Sequence, residues 1–270
     1  MAVKAIIAGV AGRMGKTIAQ LIFQHPEIDV VACFEAPKSP YVGQDLGDVI
    51  GVPQTGIIVE DSLEKVIERG EVIIDFTFHK ASLHHARINA KYGKAMVIGT
   101  TGFSKEELEE VHELAKKHFP LVQDYNMSTG ANLLTKLVEI TAKVLHEGYD
   151  IEIIEAHHRM KKDAPSGTAL KLAQAIAKTL GRREEHFRFC REGIIGERPP
   201  LEIGIQTLRG GDIVGEHTVL FAGIGERIEL IHRATSRETF ARGAIRAALW
   251  VVGKAPGVYN MLDVLGLKDY

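Results

Sequence analysis

Val3-Lys-Ala-Ile-Ile-Ala-Gly-Val-Ala-Gly-Arg-Met-Gly15 decides the fold. An apolar run ends in glycines spaced Gly-x-x-Gly-x-x-Gly, and Met14, Ile18, Leu21 and Ile22 then recur on one helical face. A strand, a glycine turn and a helix in that order let backbone amides approach a pyrophosphate at the positive end of the helix. The spacing departs from the commoner Gly-x-Gly-x-x-Gly, so context carries the reading. Gly9, Val10, Ala11, Gly12, Arg13 and Met14 sit between strand and helix. Glu35 ends the second apolar run, Val30 to Phe34, 20 residues past Gly15, where a carboxylate accepts from ribose hydroxyls. The alternative is a tight turn at a packed helix start with no ligand.

Working outward, apolar runs at Val72 to Phe76, Met96 to Ile98 and Leu121 to Val122 alternate with helical stretches up to about residue 127, one of them opened by a Ser104–Glu107 capping box. That alternation predicts α/β structure, a Rossmann-type parallel sheet of βα units. Gly99-Thr100-Thr101-Gly102 and Asp75-Phe-Thr77 end two of the strands at the carboxyl edge, where open sheets place ligands, although either also reads as a plain turn. Ala36 to Thr55, with three Pro and three Gly, reads as a long, irregular and mobile connection.

After Ser128 the pattern changes. A helix is expected from Ala131 to Leu145 with Leu134, Leu137, Val138, Thr141 and Leu145 on its buried side. Strands follow at Ile151 to Ala156, Phe187 to Arg191, Glu202 to Leu208, Ile213 to Phe221 and Arg227 to Ala234, the last two joined by a Gly223-Ile-Gly225 hairpin. A final amphipathic helix, Glu238 to Val252, is expected to return to the first domain. Two domains result: residues 1–127 with 238–270, and residues 128–237, an open, largely β unit with helices on one face.

With 270 residues, 45% hydrophobic, the chain can bury an ordinary core, and a formal charge of −2 with pI near 6.6 gives no field for nucleic acid or an anionic membrane. Local basic clusters then serve something small. Cys33 and Cys190 are too few and too distant for a disulfide framework or a metal knuckle and read as reduced core residues. The opening residues enter a strand without a signal-peptide pattern, and no apolar run reaches the roughly 18 residues of a membrane span, which points to the cytosol.

The chemistry concentrates in Glu155-Ala-His-His-Arg-Met-Lys-Lys-Asp-Ala-Pro-Ser-Gly-Thr168, between a strand and a helix whose buried face is Ala169, Leu172, Ala173, Ile176, Ala177 and Leu180. Pro165-Ser166-Gly167-Thr168 offers amides and hydroxyls at a helix N-terminus, suited to a carboxylate or phosphate, with Arg159, Lys161 and Lys162 just before it. A solvated charge run is the bland alternative. Metal chelation is disfavoured, because successive strand residues such as His157 and His158 point to opposite faces. Ser166 lacks a Gly-x-Ser-x-Gly elbow and reads as a helix cap rather than a nucleophile. Proton transfer beside hydride transfer fits best.

Together these strings resemble the 4-hydroxy-tetrahydrodipicolinate reductase family, formerly dihydrodipicolinate reductases, of the diaminopimelate route to lysine. The resemblance runs through Gly9 to Gly15, Ile74-Asp-Phe-Thr77, Val97 to Gly102, Glu155 to Leu170, Gly211 to His217 and Gly225-Glu-Arg227. It implies an NAD(P)H-dependent reductase acting on a small cyclic dicarboxylate. It further implies a Rossmann-type cofactor domain, an α+β substrate and oligomerisation domain with a mixed open sheet, a cleft that closes on binding, and a homotetramer. By family role His157 is the proton donor and acceptor, Lys161 a second proton donor, and His158 a carboxylate ligand, with Ser166, Gly167 and Thr168 at the other carboxylate. Gly9 to Met14, Glu35, Gly99, Thr100, Thr101 and the segment Asp124, Tyr125, Asn126 and Met127 are the implied cofactor contacts. No metal is implied.

Two departures stand out. Relatives usually carry small residues where this chain has Asp124 and Tyr125, and some carry arginine at Ala36. Glu35 repels a 2′-phosphate and Ala36 brings no guanidinium, so NADH is expected to be preferred over NADPH, with Lys38 restoring some tolerance. Two rivals remain: a two-domain amino-acid dehydrogenase of aspartate-dehydrogenase type, and a nucleotide-sensing module without turnover.

Overall fold

β1 (Val3–Ala8) is buried from Ala5 onward and starts a wholly parallel seven-stranded sheet. The other strands are β2 (Ile28–Phe34), β3 (Val59–Glu60), β4 (Val72–Asp75), β5 (Ala95–Ile98), β6 (Pro120–Gln123) and β12 (Gly257–Tyr259), in the order β12-β6-β5-β4-β1-β2-β3. The computed structural model describes residues 1–268. Alternate residues of these strands feed two cores. Ala5, Ile7, Ile74, Val97 and Val122 pack with Ile18 and Ile22 of α1 (Arg13–Ile22) and Ala244 and Ala248 of α7 (Glu238–Val251). Ile6, Ile73, Met96 and Leu121 pack with Leu83 and Ala86 of α3 (His79–Asn89) and Val111 and Ala115 of α4 (Lys105–His118). A parallel sheet covered on both faces needs apolar residues at every position, which is why its strands read as unbroken apolar runs.

The chain order of this sheet reverses between β1 and β4, so the loops after these two strands part at the carboxyl edge. Gly9 stands there with φ 68°, and a Cβ on it would come within 2.7 Å of Thr77 Cγ2. A Cβ on Gly15 would lie 2.2 Å from the Gly9 carbonyl oxygen, so the first turn of α1 packs directly on the glycine turn. The connection from Ala36 to Thr55 is organised rather than irregular. It contains α2 (Leu46–Ile50), and the Asp45 carboxylate caps that helix at Gly47 N (2.7 Å) while gathering Thr55 N (3.0 Å) and Gly56 N (2.8 Å). The expected final helix is not final: β12 and α8 (Met261–Leu265) follow α7.

The second sheet is mixed, ordered β11-β10-β7-β9-β8, from β7 (Asp150–His157), β8 (Phe187–Arg188), β9 (Ile203–Arg209), β10 (Gly215–Ala222) and β11 (Arg227–Ala234). α5 (Thr129–Val144) and α6 (Gly167–Leu180) cover one face, with Leu134, Val138, Leu172 and Ile176 against Ile151, Ile153, Ile205, Val219 and Phe221. Three expectations are corrected here. Leu137 is 40% exposed, in a stripe with Leu133, Ile140 and Val144, because the buried face of α5 follows Leu134, Val138 and Ala142 instead. β8 stops at Arg188, and Arg191 leaves the ladder to pair with Glu152 and Glu202 at 2.5 Å each. Cys190 on that excursion is exposed, whereas Cys33 is buried, with its thiol pushed up to about 12 by burial and then by the charges of Glu35, Asp45 and Glu60.

Among the described residues the chain divides into one unit of Met1–Thr129 with residues 238–268, and a second of Gly130–Arg237. Residues 269 and 270 of the first expected domain lie outside the described residues. Among the described residues no helix is long and apolar enough to cross a membrane.

Candidate functional site

In the first unit the glycine turn is fastened by its own backbone, Gly12 N donating to Gly9 O (3.0 Å), and by Glu35, whose Oε1 accepts from Ala11 N at 2.7 Å. Glu35 therefore spends one carboxylate oxygen on holding the turn. Gly12 caps α1 without a side chain, so Arg13 and Met14 open the helix at its positive end. Val10 is fully buried and offers only its backbone. A pocket of about 490 Å³ includes Gly9, Gly12 and Glu35 in its lining, with Phe34, Pro37 and Leu63 as apolar wall. The turn's amides, the space and the carboxylate of Glu35 fit a dinucleotide.

The other residues expected around the cofactor divide by what holds them. Thr100 is 4% exposed and hydrogen-bonded to Ser82 Oγ at 2.8 Å. Gly99 has no room for a side chain, since a Cβ there would meet the Phe76 ring at 2.1 Å, and Thr101 is exposed. Asp124 is buried, and its carboxylate accepts from Met261 N at the start of α8 (3.3 Å). The departure at position 124 thus supports a helix end within the same unit. Tyr125 is 59% exposed, Asn126 Oδ1 accepts from Ser128 N (2.8 Å), and Met127 packs in the core beneath α7.

Asp75 proves to be more than a turn signal. It is fully buried and accepts from Thr77 N (3.0 Å), Thr77 Oγ1 (2.6 Å), Ser82 Oγ (2.9 Å) and His85 Nδ1 (2.7 Å). Burial alone would raise its carboxyl, but the His85 hydrogen bond and charge and the Thr77 bonds hold it below the usual range. This carboxylate ties the ends of β4 and β5 to α3.

In the second unit the helix-covered face of the sheet changes character along its length. β7 points Ile151, Ile153, Glu155 and His157 to that face, and the register sets Glu155 between Thr207 on β9 and His217 on β10, with Arg209 beside His157. Apolar residues fill the covered core, and ionisable ones replace them where the strands reach the opening of α6.

Glu155 is the hub of this end. It is fully buried and takes two bonds from Arg209 (2.8 Å each), one from Ser166 N (3.0 Å), one from Thr207 Oγ1 (3.3 Å) and one from His157 Nδ1 (2.6 Å). Burial would raise its carboxyl, yet the hydrogen bonds of His157, Arg209 and Ser166 bring it down to about 2. An ionised carboxylate only accepts, so His157 carries its proton on Nδ1 toward Glu155 and turns Nε2 the other way. A Cβ on Gly215 would stand 3.1 Å from that Nε2, and glycine leaves the space open.

The loop from His158 to Ser166 is pinned at both ends. His158 N donates to Ile213 O (2.7 Å), Arg209 Nη2 donates to Asp163 O (2.7 Å), and the Lys161 ammonium rests on Asp163 Oδ1 (2.8 Å). Ser166 is 2% exposed; its Oγ accepts from Ala169 N (3.2 Å) and is hydrogen-bonded to His217 Nε2 (3.0 Å). The serine hydroxyl therefore faces inward, and Gly167, which is exposed, and Thr168 present the first turn of α6. The structure thus brings His157, Ser166 and the opening of α6 together around Glu155. Sequence reasoning missed Glu155, Arg209 and His217 as members of this group, although the alternation Ile151, Ile153, Glu155, His157 already put both ionisable residues on the covered face.

Two family models span nearly all of the chain: "Dihydrodipicolinate reductase, N-terminus" matches residues 3–127, and "Dihydrodipicolinate reductase, C-terminus" matches residues 130–265. A 4-hydroxy-tetrahydrodipicolinate reductase of Desulfotalea psychrophila is 57% identical over 98% of this chain and 99% of its own. One from Syntrophobacter fumaroxidans is 55% identical over 98% and 100%. Among solved structures, a dipicolinate-bound dihydrodipicolinate reductase from Paenisporosarcina sp. TG-14 superposes with a TM-score of 0.78 at 26% identity, covering 97% of this chain and 99% of that one. With both halves matched, the chain belongs to the dihydrodipicolinate reductase family.

Proposed function

We propose that this oxidoreductase converts 4-hydroxy-tetrahydrodipicolinate to tetrahydrodipicolinate, with NADH as the preferred reductant, in the diaminopimelate route to lysine. The observation that carries the reading is the Arg209–Glu155–His157 chain at the opening of α6, a buried carboxylate that aims an imidazole beside a seat for an anion. Held by the glycine turn and Glu35, a reduced nicotinamide dinucleotide would supply the hydride. The ring accepts it at the carbon that loses hydroxide, and one proton turns that hydroxide into water. His157 Nε2 is the proton donor and acceptor, and Lys161 is a second donor once its ammonium leaves Asp163. Gly167 and Thr168 hold one substrate carboxylate through the first turn of α6, and His158 holds the other; charge-assisted bonds contribute about 1.5–3 kcal/mol each. Ser166 serves the same seat indirectly, by capping the helix. Gly9 to Met14, Glu35, Gly99 to Thr101 and Asp124 to Met127 form the dinucleotide site on the first unit.

NADH preference rests on charge. Glu35, Asp61 and Glu64 line the pocket that also contains Gly9 and Gly12, and no lysine or arginine is among its lining residues, so a 2′-phosphate meets three carboxylates. The open face of the mixed sheet, with Ile154, Leu208 and Ile231 exposed, supports a homotetramer. The cytosol is the compartment proposed for this biosynthetic step.

One assay tests the activity. NADH is oxidised when the condensation product of pyruvate and aspartate semialdehyde is supplied, pyridine-2,6-dicarboxylate inhibits competitively, and kcat/KM is higher with NADH than with NADPH. No substrate-dependent oxidation rejects the activity, and an NADPH advantage rejects the preference. Sedimentation equilibrium tests assembly: a mass of about four chains is expected, falling on Ile154→Glu, and a monomeric wild type removes the tetramer.

A further inference from the structure

Two chemically distinct parts of the site meet at Ser166. Its amide belongs to the proton-transfer side, donating to Glu155 at 3.0 Å, while its hydroxyl caps α6 through Ala169 N at 3.2 Å and so shapes the anion seat. The third bond of this residue goes to His217, 51 positions away on β10, at 3.0 Å. His217 is only 3% exposed, and among the described residues its Nδ1 has no hydrogen-bond partner. A buried polar atom left without a partner destabilises the fold, and leucine at an ordinary core position avoids that cost. A histidine held there at that cost is placed for what its other nitrogen does.

We propose that His217 is a positioning residue for the reduction: through Ser166 it fixes the distance between the first turn of α6, where a substrate carboxylate sits, and the imidazole of His157. The inference rests on the reading of that loop as the dicarboxylate site. The His217 ring stands 5.2 Å from that of His157, at 75°, so it also backs the side of the proton donor. The register puts it opposite Glu155 on β7 and His232 on β11. Burial holds it neutral, down to about 3; the charges of His157, His232 and Lys161 act in the same direction, and Glu155 opposes them without prevailing. Arg209, the remaining cation of the cluster, is occupied by Glu155. A neutral imidazole keeps one bond to Ser166 through the catalytic cycle and does not compete with His157 for the reaction's proton.

The test compares His217→Leu with His217→Gln, the glutamine keeping an amide that can reach the serine hydroxyl. In His217→Leu the KM for the substrate and the inhibition constant of pyridine-2,6-dicarboxylate rise about tenfold or more, while the KM for NADH and the urea midpoint of the first unit are unchanged; His217→Gln returns both constants to within about threefold of wild type. A folded leucine variant with unaltered substrate KM overturns the proposal, as does a glutamine variant no better than leucine. Should the leucine variant not fold, 15N imidazole spectra of the wild type decide: His217 remains neutral from about pH 5 to 9, and titration of that ring near the ordinary histidine range overturns the proposal. Failure of the function itself shows separately, as a wild type that neither oxidises NADH with this substrate nor binds the dicarboxylate.

Discussion

His157→Ala lowers kcat by about 10²–10⁴-fold, and Lys161→Ala by a factor toward the lower end of that range, while the dissociation constant for NADH changes by less than about twofold. The reason is the division of labour between the two units. The glycine turn and Glu35 belong to the first unit, whereas the hydrogen bonds of His157 and Lys161 lie within the second. His157 has the larger effect, because its Nδ1 is committed to a buried carboxylate and no other imidazole of the cluster replaces its Nε2: His217 is bound to Ser166. Lys161 rests instead on Asp163, which is itself exposed. Steady-state rates paired with equilibrium NADH titration check both variants. Near-normal turnover in each would remove the proton-transfer assignment while leaving the fold and the dinucleotide site untouched.

Glu155→Gln carries the second large effect, and it is visible without substrate. Removing the charge strands the Arg209 guanidinium beside a neutral amide whose NH2 group faces donors, and breaking a buried pair in this way costs about 3–5 kcal/mol. The pH dependence has a definite sign. Folding lowers the Glu155 carboxyl from 4.5 to about 2, so the carboxylate contributes stability that is fully present above pH 4.5 and is lost as the pH falls through 2. That shift corresponds to about 3 kcal/mol. Urea unfolding at several pH values should therefore show the gap between wild type and Glu155→Gln at its widest near neutrality and closing toward pH 2. A gap that does not narrow on acidification contradicts the ionised hub. The same variant also turns over more slowly, since a carboxylate no longer fixes the tautomer of His157.

The dinucleotide end was legible because every element of it is local. The run Val3 to Ala8, the glycines after it and the apolar period of α1 lie within 20 residues, and Glu35 follows at the end of the next strand. Strand and helix types were readable for the same reason, apart from the short β3, β12 and α8, whose two to five residues are too few to show a period. Asp45 explains the misreading of the Ala36 to Thr55 connection: one carboxylate, binding three backbone amides up to 11 positions away, organises a segment whose composition alone suggests disorder. Asp124 is a similar case, a charge that looked misplaced until Met261, 137 positions later, supplied its donor.

By itself the sequence determined the α/β class, the parallel sheet with its glycine turn, and the loop that carries His157, His158, Lys161 and the helix opening at Ser166, because these follow from periods of two and 3.6 residues and from turn chemistry. Only the tertiary structure decided that Glu155 is the hub, that Arg209 and His217 complete it from 54 and 51 positions beyond their partners, and that the Ser166 hydroxyl turns inward. The physical reason is that hydrogen-bond partners of a buried charge are chosen by strand register across the sheet, and register is a property of paired strands that no single segment encodes.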